Sequence, residues 1–144
     1  MIYYFIGQPG SGKTTLGKLL INELKEDALL IDGDDIRGIF DNKDYSEQGR
    51  RKNIELAQNI ANFLHNKKVS SVVCLVSPYR DQREKFKEKM GDNIVEIYVH
   101  TKNIRGRENF HVQNYETPLE NFIDIDTTDK KDYDCLQEIL DKIK

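Results

Sequence analysis

The run GQPGSGKT, Gly7 to Thr14, sits between the apolar stretch IYYFI and the segment TLGKLLINELKE, and that order leaves few folds open. It matches G-x-x-x-x-G-K-[ST], with a strand expected before it and a helix after it. Glycines let such a loop wrap until its backbone N–H groups face one centre, and the helix N-terminus adds positive potential there. That arrangement suits a β-phosphate. Gly7, Gly10, Ser11, Gly12, Lys13, Thr14 and Thr15 are therefore candidate nucleotide-binding residues. Lys13 is expected to reach the β- and γ-phosphates and the Thr14 hydroxyl to help hold Mg²⁺, so ATP with Mg²⁺ is the expected ligand.

Strands and helices alternate along the rest of the chain. IYYFI is a continuous apolar run, as in a strand buried on both faces. Leu16, Leu19, Leu20 and Leu24 share one helix face, and ALLID reads as a second strand. Ser46 is a candidate N-cap for a helix over 46–66 that carries Ile54, Ala57, Ile60, Ala61 and Leu64 at helical spacing. SSVVCLV, NIVEIYVH and NFIDID read as strands, and DQREKFKEKM and DYDCLQEILDKI as helices, with Arg83 taken as a surface charge. The pattern predicts an α/β, P-loop NTPase fold: a mostly parallel sheet of about five strands flanked by helices. Its 144 residues suffice for one domain, 1–144.

Composition narrows the partners. Charged residues make up 33% of the chain with both signs interspersed, and the net charge of −3 argues against a nucleic-acid partner. No apolar run approaches the roughly 18 residues that span a bilayer, so no membrane partner is expected. MIYYFIGQPG lacks a basic n-region and reads as a first strand, not a signal peptide. Cys74 and Cys135 lie far apart without metal-ligand spacing, Cys74 reading as a small core residue, which fits a reducing cytoplasm. His65, His100 and His111 have no partners at metal spacing either.

A second constellation follows the second strand. In ALLIDGDDIRGIF, Asp32, Asp34, Asp35 and Arg37 fall at or beyond a strand's carboxyl end, where open parallel sheets bind ligands. Phosphoryl transfer needs a carboxylate beside the acceptor hydroxyl, and often one near Mg²⁺. Asp34 is the candidate base, ahead of Asp35, and with Thr14 a candidate metal contact; Lys13 and Arg37 complete the catalytic set.

GQPGSGKTTLGKLL, IDGDDIR, YSEQGRRKNI and VSPYRDQRE, in that order, resemble the adenylylsulfate kinase family over roughly residues 1–100, and again at IDTT near 125–128. The resemblance implies a small-molecule kinase that uses MgATP to phosphorylate the ribose 3′-hydroxyl of adenylyl sulfate. It implies roles for Asp34 as catalytic aspartate, Arg37 as substrate-holding arginine, Tyr45 as the aromatic stacked on the acceptor base, and Arg50 and Asn53 as acceptor contacts. Ser77, Tyr79 and Arg80 of SPYR would lie at the acceptor cleft, Ser77 in a hydrogen-bonding or structural role and not as a phosphorylated intermediate. Members are often homodimers, so a homodimer is a further expectation.

The resemblance fails after the fourth strand. The family's lid carries a Lys-Gly-Leu-Tyr and a Phe-Thr-Gly element; here residues 101–118 pass through IRGRENFHVQNYETP, where only Tyr115, Glu116 and Pro118 echo the family. In this shorter lid Arg105 and Arg107 are candidate phosphate contacts, and Phe110 or His111 a candidate cover for the acceptor base. Reaction type rests on Lys13, Thr14 and Asp34, whereas acceptor choice rests on the altered lid. The acceptor is therefore adenylyl sulfate or another nucleotide, such as the cytidine diphosphoramidate used by kinases of this architecture. More distant readings are a polynucleotide kinase and a nucleotide-binding module without turnover.

Overall fold

The computed structural model describes residues 1–143. Five strands form one sheet: β1 (Ile2–Ile6), β2 (Ala28–Asp32), β3 (Ser70–Leu75), β4 (Ile94–His100) and β5 (Ile123–Asp126). Their spatial order is β2-β3-β1-β4-β5 and every pairing is parallel. Five α-helices connect and cover them: α1 (Lys13–Glu23), α2 (Gly33–Ile39), α3 (Glu47–Asn66), α4 (Arg80–Met90) and α5 (Asp132–Ile143). This is the α/β, P-loop NTPase architecture expected from the alternating pattern, with the mostly parallel sheet parallel throughout.

Alternation along β1 divides the core in two. Ile2, Tyr4 and Ile6 pack with Ile54, Ala57 and Ala61 of α3 and Phe86 and Met90 of α4. Tyr3 and Phe5 face Leu16 and Leu20 of α1 and Cys135, Leu136 and Ile139 of α5. Because helices cover both faces of β1, its whole length is buried, which is why the sequence there shows no polar alternation. Cys74 is a core residue beneath α1, and burial pushes its thiol up to about 12. Ser46 caps α3 by accepting from the Gly49 N–H at 3.3 Å, and Asp32 caps α2 by accepting from the Asp34 N–H at 2.8 Å.

The charged helix α4 corrects one expectation. Arg83 is 1% exposed, not a surface charge. It lies on the same helical stripe as Phe86 and Met90 and pairs with buried Glu96 of β4 at 3.1 Å. No helix among the described residues is long and apolar enough to cross a membrane.

Candidate active site

The crossovers from β1 run to one side of the sheet and those after β3 to the other. Their divergence opens a cleft of about 900 Å³ above the carboxyl ends of β1 and β3. The loop after β1 enters it under tight steric control. A Cβ on Gly7, at φ +149°, would lie 2.1 Å from the Val99 carbonyl oxygen, so only glycine lets the loop leave β1 alongside β4. At Gly10, φ +82°, a Cβ would meet the Arg107 side chain at 3.0 Å.

Lys13 and Thr14 open α1 at the cleft floor. Lys13 is 9% exposed and its ammonium donates to the Gln8 carbonyl at 2.9 Å. Burial pushes its pKa down from 10.5 to about 8; Cys74 and Asp32 act against that fall, while Arg107 adds to it. A desolvated cation of this kind gains most from a phosphate placed beside it. The buried Ser11 hydroxyl of the same loop has no hydrogen-bond partner among the described residues, so the loop fits a polyphosphate's oxygens. The Thr14 hydroxyl lies 3.4 Å from Asp32 Oδ2, and Asp34 lines the cleft two residues further on. Oxygen donors of this kind suit Mg²⁺. Asp32, expected at this strand end but not as a partner of Thr14, is thus a site residue: its other oxygen caps α2, which aims the carboxylate across to Thr14.

Arg37, Tyr45, Arg50 and Asn53 line the same cleft. Arg37 stacks over Tyr45, its guanidinium carbon 4.0 Å from the ring centroid, and donates to the carbonyls of Asn42 and Asp44. Asn53 is buried and donates to the Gly33 carbonyl at 3.3 Å, leaving its own Oδ1 unpartnered among the described residues. Ser77 also lines the cleft, in a left-handed conformation with φ 45°. Its buried hydroxyl is bound to Tyr4 Oη at 2.9 Å, and Tyr4 Oη in turn accepts from Gln58.

Two residues of the SPYR run are placed otherwise than expected. Tyr79 packs on the α3–α4 core with Arg51 stacked over it at 4.2 Å, and Arg80 Nε donates to the Thr117 carbonyl at 2.9 Å. Neither lines the cleft. Arg80 braces the return of the lid, together with the Tyr115 hydroxyl on the Val76 carbonyl and the Glu116 N–H on the Pro78 carbonyl.

The lid closes the top of the cleft. The Glu108 carboxylate accepts from the backbone N–H groups of Arg105, Gly106 and Arg107, which folds a short 3-10 turn over Glu108–Phe110. Arg105, Arg107, Phe110 and His111 all line the cleft, Arg107 lying 5.5 Å from the Phe110 ring centroid. Arg105 grips the loop, donating to the Gly10 and Ser11 carbonyls at 3.4 and 3.3 Å.

A family model described as adenylylsulphate kinase matches residues 1–126. The APS kinase of Mycobacterium tuberculosis in complex with AMPPNP and APS superposes with a TM-score of 0.82 at 21% identity, over 99% of this chain and 96% of that one. A hexameric APS kinase from Thiobacillus denitrificans gives 0.75 at 25% identity over 99% of this chain, which spans 28% of that longer one. A gluconokinase from Sinorhizobium meliloti gives 0.67 at 16% identity, over 97% and 89%. With a P-loop, an acidic second strand end and a family match over most of its length, the chain belongs to the adenylylsulphate kinase family of ATP-dependent kinases.

Proposed function

We propose that this kinase transfers the γ-phosphoryl group of ATP to the ribose 3′-hydroxyl of adenylyl sulfate. The observation that carries this reading is that Lys13, Thr14 and Asp34 line the same cleft as Arg37, Arg50 and Asn53. Asp34 orients the acceptor hydroxyl and accepts its proton, Lys13 and Arg107 offset charge on the transferring group, and Arg37 and Arg50 meet the acceptor's anionic group. Asn53 Oδ1 is free to accept from the acceptor nucleotide, and Tyr45 and Phe110 offer ring faces to its base. Thr14 with Asp32 and Asp34 would hold Mg²⁺, which would supply charge neutralisation to the polyphosphate. Free Cys74 and Cys135 suit work in a reducing cytoplasm.

A second acceptor, cytidine diphosphoramidate, is favoured by the lid: its cations Arg105 and Arg107 sit against the phosphate loop, and its acceptor side carries Phe110 and His111 without a lysine. Incubation with MgATP and either acceptor, following ADP release, separates the two. Turnover with adenylyl sulfate supports the first reading; none at near-millimolar concentration refutes it. Asp34→Asn should lower turnover by about 10²- to 10⁴-fold while ADP affinity is kept.

A further inference from the structure

The second position of the phosphate loop, an "x" in its motif, makes a contact that the motif does not require. Gln8 Nε2 donates to the Val112 carbonyl at 2.8 Å, and the Val112 N–H donates back to Gln8 Oε1 at 2.8 Å. A side-chain amide thus pairs with a main-chain amide 104 residues away, as two strand residues would. Both groups are half-buried, and the pair satisfies one donor and one acceptor on each side. Arg105, at the other end of the 3-10 turn, already grips the Gly10 and Ser11 carbonyls and the Thr127 hydroxyl. The turn that carries Phe110 and His111 is therefore held at both ends on the donor side of the cleft.

We propose that Gln8 is a positioning residue for phosphoryl transfer: by fixing Val112 it sets Phe110 and His111 over the acceptor half of the cleft and makes the lid follow the phosphate loop. Gln8 contacts the acceptor only through the lid. Its loss changes acceptor binding, whereas nucleotide binding, which rests on Lys13, Thr14 and the backbone N–H groups, stays close to wild type. The proposal rests on the kinase reading but not on which acceptor is used.

Two variants remove the pair from opposite sides. Gln8→Ala deletes both hydrogen bonds. Val112→Pro deletes only the Val112 donor, and His111, at φ −61° and ψ 138°, already has the backbone that precedes a proline. Three quantities are measured on the full chain: ADP affinity, KM for adenylyl sulfate, and trypsin cleavage after Arg105 and Arg107 with MgADP bound. Gln8→Ala should raise the acceptor KM about ten-fold and speed lid cleavage about ten-fold, Val112→Pro roughly half as much on a logarithmic scale, with ADP affinity unchanged. Unchanged acceptor KM in Gln8→Ala overturns the proposal, as does an ADP affinity that falls as far as the acceptor KM rises. If the wild-type protein does not turn over adenylyl sulfate, the acceptor reading fails instead. Lid cleavage then decides, wild-type resistance in Gln8→Ala refuting the coupling and faster cleavage with intact ADP affinity supporting it.

Discussion

Replacing Arg83 with methionine removes a guanidinium that is fully shielded from solvent together with its partner, Glu96. Besides the 3.1 Å contact to Glu96 Oε2, Arg83 donates to the Ser77 carbonyl at 2.7 Å and to the Glu116 carbonyl. Methionine restores much of the volume but none of the donors. Removing one partner of a buried pair costs about 3–5 kcal/mol, because the other charge is left without compensation. Here Lys87 still reaches Glu96 Oε1 at 2.9 Å, so the loss falls at the lower end, about 3 kcal/mol. For a chain of this size that corresponds to a fall in Tm of about 6–12 °C. Urea denaturation measures it directly. Arg83→Met/Glu96→Leu should recover at least about 1 kcal/mol of the loss, since an apolar pair carries no desolvation penalty. A single-variant loss below about 1 kcal/mol, or a double variant no better than the sum of the singles, would show that the pair is not the buried strut inferred from its geometry.

Further outcomes follow from the phosphate loop and from α2. Lys13, lowered to about 8 in the folded chain from 10.5, sheds a proton that the unfolded chain still holds, so stability rises with pH between about 8 and 10.5. A phosphate beside Lys13 reverses the shift, so ADP binding at about pH 9 should take up close to one proton. Calorimetry in two buffers of different ionisation enthalpy reads this, and buffer-independent heats would refute it. Gly7→Ala should abolish nucleotide binding, because its Cβ would sit 2.1 Å from the Val99 oxygen. Gly38→Ala, in α2 with nothing within 4 Å of the new Cβ, should instead be neutral or stabilise by up to about 1 kcal/mol; equal melting curves for the two variants would contradict the steric reading.

What was legible in the sequence had local causes. The β1–loop–α1 unit is written in contiguous residues, and the stripes of α1, α3 and α5 follow from 3.6-residue periodicity. The lid's departure was visible because a long motif was missing. Arg83 escaped because its neighbours in DQREKFKEKM are mostly charged, although its spacing from Phe86 and Met90 was the available signal. Its burial depends on Glu96, which alternation places between Ile94 and Tyr98 on the α3–α4 face of β4. Tyr79 and Arg80 follow the carboxyl end of β3 as expected, yet α4 starts at Arg80, which sets Tyr79 on the α3–α4 core and Arg80 on the lid's return. The Gln8–Val112 pair left no trace in the sequence, since neither residue type at either position implies the other.

The lid's anchors have a consequence for how this enzyme can change. Gln8 pairs with main-chain atoms of Val112, Arg80 and Arg83 donate to main-chain carbonyls of Thr117 and Glu116, and the Glu116 N–H reaches Pro78. None of these contacts depends on the side chain carried at 109, 110 or 111. Those positions form an exchangeable cassette held in a fixed frame. On the proposed role of Phe110 and His111 at the acceptor, substitutions there would alter acceptor contacts while these main-chain anchors stay in place.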